Sequence, residues 1–175
     1  MHLKLETLFL DLDQDRIALD RQLRQLDNQV LNQPSAPGKW SALQTLRHLI
    51  MAEEQSLAYI RKKLKDPTRA KKPGLSTWFR SGLLLGWFKL GMKAKAPPAF
   101  AAIDPNQDRD TVLADYSRVR QELAAVLDAV PADVVDRELF RHPLAGRMDL
   151  GSALSFFRAH FRHHQKQIVG MLKLA

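Results

Sequence analysis

The chain has 175 residues, 45% of them apolar and 26% charged, which is enough to bury a core in one domain and unlike a disordered composition. It contains no cysteine, so disulfides, thiolate metal sites and cysteine nucleophiles are excluded and any bound metal must use imidazole, carboxylate or water. The net charge of +8 is uneven: residues 61–95 carry eleven basic side chains against Asp66 alone, the rest of the chain sums to −2, and a basic stripe for nucleic acid is not supported.

The opening Met-His-Leu-Lys-Leu-Glu-Thr-Leu-Phe-Leu-Asp has too short an apolar stretch for a signal peptide, which predicts a cytoplasmic protein. From about Lys4 to Asn32, Leu5, Leu8, Leu12, Leu19, Leu23, Leu26 and Val30 recur at helical spacing and predict a first helix, broken by Gln33-Pro34-Ser35-Ala36-Pro37-Gly38. A second helix starts at Ser41, where the hydroxyl can cap the amides ahead and Gln44 can reach back in a capping box. Its apolar stripe is Leu43, Leu46, Ile50, Leu57, Ile60 and Leu64, and Asp66-Pro67 ends it.

The connection from about 66 to 109 is basic and tryptophan-rich, with Trp78 and Trp87 between Lys71-Lys72 and Lys93-Ala94-Lys95. It is too short, and too interrupted by Arg80 and Lys89, to read as a membrane span. Two readings stand: a crossover folded onto the bundle or a dimer partner, or an interfacial amphipathic segment. A third helix follows from about Asp110 to Ala129, with Val112, Tyr116, Val119, Leu123, Val126 and Val130 on one stripe. Residues 138–147 form a turn-rich link, and a fourth helix begins at the N-cap Asp149 and continues to the C-terminus. No strand alternation is visible. The prediction is an all-α, single-domain protein spanning residues 1–175: a four-helix bundle with a long crossover between helices 2 and 3.

The fourth helix carries three of the six histidines, His160, His163 and His164. His160 and His164, four apart, share one helix face at the rim of the apolar sector of Leu150, Leu154, Phe157, Phe161, Ile168 and Leu172. That spacing suits one divalent ion, but two histidines with only local contacts are the commoner outcome of such a pair. His163 projects outward, and Gln167 is either a partner of the pair or a polar flank residue. His48 falls opposite the apolar stripe of the second helix, which by periodicity predicts the surface, with a second buried face as the alternative. His142 precedes a proline and is expected to support a turn, and His2 is terminal. Spacing alone does not assemble a site.

Trp40-Ser41, His48-Leu49 and the acid pair Glu53-Glu54 resemble the start of the second helix in the DinB/YfiT-like family. Arg141-His142-Pro143-Leu144-Ala145-Gly146-Arg147-Met148 is similar to that family's link into its last helix, and His160, His163-His164 and Gln167-Ile168 to its closing signature. The ordered set runs from Trp40 to the C-terminus and covers residues 71–95 least. The resemblance implies a crossover four-helix bundle, often a homodimer, with a divalent metal on His48, His160 and His164. Three neutral imidazoles leave positions for water, as in catalytic sites. Zinc or nickel is the expected ion, with iron and manganese as alternatives.

The same resemblance implies a metal-dependent enzyme acting on a small-molecule substrate, either an S-transferase using a low-molecular-weight thiol or a hydrolase. Crossover cations could receive the carboxylates of such a thiol. On the helical wheel Glu53 falls with the apolar stripe and Glu54 faces the charged side, so neither is assigned as catalytic acid or base. The alternatives are a non-catalytic metal-binding stress-response scaffold, or a membrane-surface or partner-binding protein acting through residues 75–95.

Overall fold

The computed structural model describes residues 1–74, 77, 79, 80, 82–84, 86 and 102–173. The expectations placed on Trp78, Trp87, Lys89, Lys93 and Lys95 lie outside the described residues. Four long helices form a bundle: α1 (Leu3–Leu23), α3 (Ala42–Leu64), α4 (Arg109–Asp128) and α5 (Leu150–Lys173), with a short α2 (Asn28–Asn32) after α1. Among the described residues no helix is long and apolar enough to cross a membrane.

On α1, Leu5, Leu12, Leu19 and Leu23 face the core, and a fully buried leucine contributes about 1.5–3 kcal/mol relative to an exposed one. The predicted first helix does not continue to Asn32: it stops at Leu23 and restarts at Asn28. No glycine or proline interrupts residues 24–27; bonds from a distant segment do. The Arg109 guanidinium donates to the carbonyls of Arg24 (3.2 Å) and Leu26 (2.9 Å), and the Asn28 side chain accepts from the Arg109 amide (2.8 Å). These bonds stand in for helical ones and turn the chain so that Leu31 is buried.

The capping box at the start of α3 is present as expected. Ser41 Oγ accepts from the Gln44 amide (3.2 Å), and Gln44 Oε1 accepts from the Ser41 amide (3.0 Å). Asp108 caps α4 through the Thr111 amide (2.8 Å), and Asp149 caps α5 through the Ser152 amide (2.9 Å).

α5 packs against α1 and α3, while α4 packs against α3 and α1, so the perimeter of the bundle runs α1–α5–α3–α4. Of the consecutive long helices, α3 and α4 sit side by side at the two ends of the long connection, whereas α1 and α3, and α4 and α5, lie diagonally across the bundle. The α1–α5 seam is fastened by Asp15, which accepts from Arg158 (3.0 Å) and Arg162 (2.7 Å), and by an Asp11–Arg158 pair.

The segment 138–148 corrects the strand-free expectation. Phe140–His142 (β1) and Gly146–Met148 (β2) form an antiparallel hairpin in the register Phe140↔Met148, Arg141↔Arg147, His142↔Gly146. Three-residue strands are too short to show alternation in sequence. Gly146 has φ +76°, the left-handed conformation that closes a three-residue hairpin loop and that a Cβ disfavours. Phe140 packs on Phe156 and Phe157, which docks the hairpin on α5.

Inside the bundle, Arg120 of α4 donates to Glu53 of α3 (2.9 Å) and to the Tyr116 hydroxyl (3.1 Å), which itself donates to Glu53 (2.9 Å). All three are buried. Burial raises the Glu53 carboxyl, and the Arg120 guanidinium opposes that rise. Removing one member of a buried pair strands the other charge. Glu53→Ala is therefore expected to lower the unfolding free energy by about 3–5 kcal/mol, whereas the double change Glu53→Met/Arg120→Met costs far less. Urea denaturation of the two variants checks this, and equal losses would contradict the account.

Candidate metal centre

His48 lies on the second turn of α3 and His160 and His164 on successive turns of α5, so the adjacency of α3 and α5 brings all three to one place. The expected i, i+4 geometry holds: the His160 and His164 rings are 4.7 Å apart, centroid to centroid. His48 corrects the surface expectation drawn from periodicity. It is buried, because α3 packs against α4, α5 and the hairpin and so buries more than one stripe.

The Nε2 atom of His160 lies 3.4 Å from that of His48 and 3.1 Å from that of His164. One ligand atom from each of the three residues falls within 4.8 Å of the others, so the group can hold a metal ion. Ring contacts surround it. Trp40 packs against His48 at 5.3 Å, and Phe156 stacks on His160 at 5.5 Å with an 11° interplanar angle. The sequence offers Trp40 only as part of a motif and gives no signal for Phe156.

Protonation follows from burial. Desolvation pushes His48 down to about 4 and His164 down to about 3, the latter helped by the proximity of His48. His160 is held well below the ordinary value by burial first and by His164 and His48 next. All three are neutral at pH 7, and protons do not compete for their lone pairs.

Gln167 proves to be a partner of the pair. Its Oε1 lies 2.9 Å from His164 Nδ1, and its Nε2 lies 2.9 Å from His163 Nε2. A carbonyl oxygen only accepts, so the proton of His164 resides on Nδ1 and the Nε2 lone pair faces the cluster. His163, set aside in sequence as outward-facing, accepts from the Gln167 amide and holds it in that orientation. The donor set fits a divalent ion: neutral nitrogen ligands, a defined tautomer, and a hydrogen bond behind a ligand.

The acids are elsewhere. Glu53 is committed to Arg120 and Tyr116, and Glu54 pairs with Arg118 on the surface at 2.7 Å. This agrees with assigning neither as acid or base.

Residues 11–168 match the family model of the DinB superfamily. The chain belongs to the DinB superfamily. No curated protein matches the sequence. Among solved structures, this DinB-superfamily chain is similar to YfiT from Bacillus subtilis, a probable metal-dependent hydrolase with an unusual four-helix bundle topology. The TM-score is 0.66 at 19% identity, over 99% of this chain and 88% of that one, which shows a shared fold.

His142 supports a turn, as expected. Its Nδ1 accepts from the amides of Leu144 (3.2 Å) and Ala145 (3.1 Å), and its ring packs on Phe156 at 4.5 Å. Burial pushes it down to about 4. A histidine whose folded value is depressed contributes stability above its unfolded pKa and loses it as pH falls toward the folded value. The stability gap between wild type and His142→Ala, about 1–2 kcal/mol at pH 7.5, is therefore expected to narrow steadily between about pH 6.5 and 4. Urea midpoints across that range test it, and a constant gap would refute the assignment.

Proposed function

We propose that this DinB-superfamily protein is a metal-dependent enzyme in which His48, His160 and His164 ligate one divalent ion through Nε2. The observation that carries the reading is the convergence of three neutral imidazoles within 4.8 Å. Imidazole ligands and the affinity order of divalent ions favour zinc or nickel, with iron and manganese behind them. When bound, the ion supplies a Lewis acid that produces a nucleophile from water or a low-molecular-weight thiol near neutral pH. The protein's own contribution is to present three lone pairs, to hold the His164 proton on Nδ1 through Gln167, and to limit solvent with Phe156 and Trp40.

Hydrolysis is the reaction class stated for YfiT as probable, and thiol S-transfer is the alternative implied by the family resemblance. The engagement of Glu53 and Glu54 away from the histidines supports a third reading, a metal-binding scaffold without turnover. Turnover by metal-loaded protein without thiol would assign hydrolysis, and turnover only with thiol would assign transfer. Retained metal with neither would assign the scaffold.

Metal content measured on purified wild type and on His48→Ala, His160→Ala and His164→Ala tests the centre itself. Stoichiometric metal in the wild type and its loss in each variant is expected; equal metal in all four rejects the triad. Gln167→Leu is expected to keep the stoichiometry at saturating metal but to weaken binding by about 10–100-fold. Competition with a chelator measures that change.

A further inference from the structure

The outer face of the hairpin has no part in the metal centre. Arg141 and Arg147 sit directly opposite each other in the hairpin register, and both are exposed. Like charges in that position repel, so the pairing costs stability unless something anionic neutralises it. Arg80 joins them from the crossover: its guanidinium would lie 3.9 Å from a Cβ placed on Gly146. Arg80, Arg141, Leu144, Ala145, Gly146 and Arg147 line a cavity of about 300 Å3, with three guanidiniums and no carboxylate among the described lining residues.

Exposed apolar side chains accompany these cations: Leu144 in the cavity lining, and Phe79 and Leu83 on the helical residues next to Arg80. Leu144 at the hairpin tip is 78% exposed, and Phe79 and Leu83, one helical turn apart, are 69% and 59% exposed. Thr77 and Leu84 are buried on the other side of the same helical residues, and Thr77 donates to Glu138 (2.7 Å), which fixes the face that points outward. Half of the six large exposed apolar residues among those described thus lie at the hairpin tip or on the helical residues that carry Arg80. Phe79, Arg80 and Leu83 belong to the stretch 61–95, which carries +10, while Arg141 and Arg147 add two cations from the rest of the chain.

We infer that the corner formed by Arg80, Arg141 and Arg147 with Phe79, Leu83 and Leu144 is a docking surface for an anionic phospholipid membrane. The guanidiniums engage lipid phosphates, and the three apolar side chains enter the headgroup boundary. A soluble anion would satisfy the arginines but would leave Phe79, Leu83 and Leu144 in water; a bilayer surface satisfies both. No helix among the described residues spans a membrane, so the contact is peripheral. The inference does not depend on the metal centre.

Co-sedimentation of the full chain with phosphatidylcholine vesicles, with and without about one-third phosphatidylglycerol, tests it at low and high salt. The wild type is expected to partition onto the anionic vesicles in a salt-sensitive way and to ignore the neutral ones. Arg141→Ala/Arg147→Ala is expected to lose roughly twenty-five-fold in partitioning, from about fivefold per arginine. Phe79→Ser/Leu144→Ser is expected to weaken binding also at high salt, where the charge contribution is screened. All four positions are exposed, and an unchanged melting temperature verifies that the variants fold. Failure of the wild type to bind anionic vesicles, equal partitioning onto neutral ones, or unaltered binding by the arginine variant would overturn the proposal. So would saturable binding of glycerol phosphate without vesicle binding, which would assign a soluble anion.

Discussion

Burial of three imidazoles in the seam between α3 and α5 is the constraint on which the rest of the structure depends. Desolvation keeps them neutral, and their nitrogens approach to 3.1–3.4 Å with the lone pair of at least His164 pointing inward. Such an arrangement is electrostatically unfavourable by itself and becomes favourable around a cation. The surrounding fold must therefore hold two helices at fixed separation. The Asp15 ion pairs fasten α5 to α1, the Glu53–Arg120–Tyr116 cluster fastens α3 to α4, and the hairpin closes the end of the seam through Phe140 and His142 on Phe156.

The same bundle uses charge in two opposite ways. Inside, Arg120 and Glu53 neutralise each other, and because removal of either strands its partner, the pair constrains the register of α3 on α4. Outside, Arg80, Arg141 and Arg147 line one cavity, with no acid among its described lining residues. Glu54 and Arg118 lie between these extremes, exposed and paired, and contribute little. Only the second arrangement offers charge to a partner.

Much of the fold was legible in sequence because helix ends are local chemistry. Ser41 with Gln44, and Asp149 with Ser152, cap within one turn, so residue type and spacing suffice. Where the deciding bond came from far along the chain, the reading failed. The break after Leu23 is made by Arg109, more than eighty residues away, and residues 24–27 carry no sign of it. The hairpin was missed because its strands are three residues long and its hydrophobic side is set by docking on Phe156 and Phe157. The bundle's crossover connectivity rested on family resemblance as much as on periodicity.

The candidate site divides along the same line. His160 and His164 share a helix, and their proximity follows from 3.6 residues per turn, so the sequence by itself determined that pair. It also determined that cysteine chemistry is absent and that any metal must use nitrogen or oxygen ligands. Tertiary structure alone decided the burial of His48, since a periodicity argument assumes one buried stripe and α3 has neighbours on several sides. It decided the role of His163, which acts through Gln167 and not through its own face of the helix. The physical reason is common to both: local geometry sets which side chains share a turn, but only packing sets the dielectric around them and the element opposite. Those two quantities turn a pair of histidines into three neutral, convergent imidazoles.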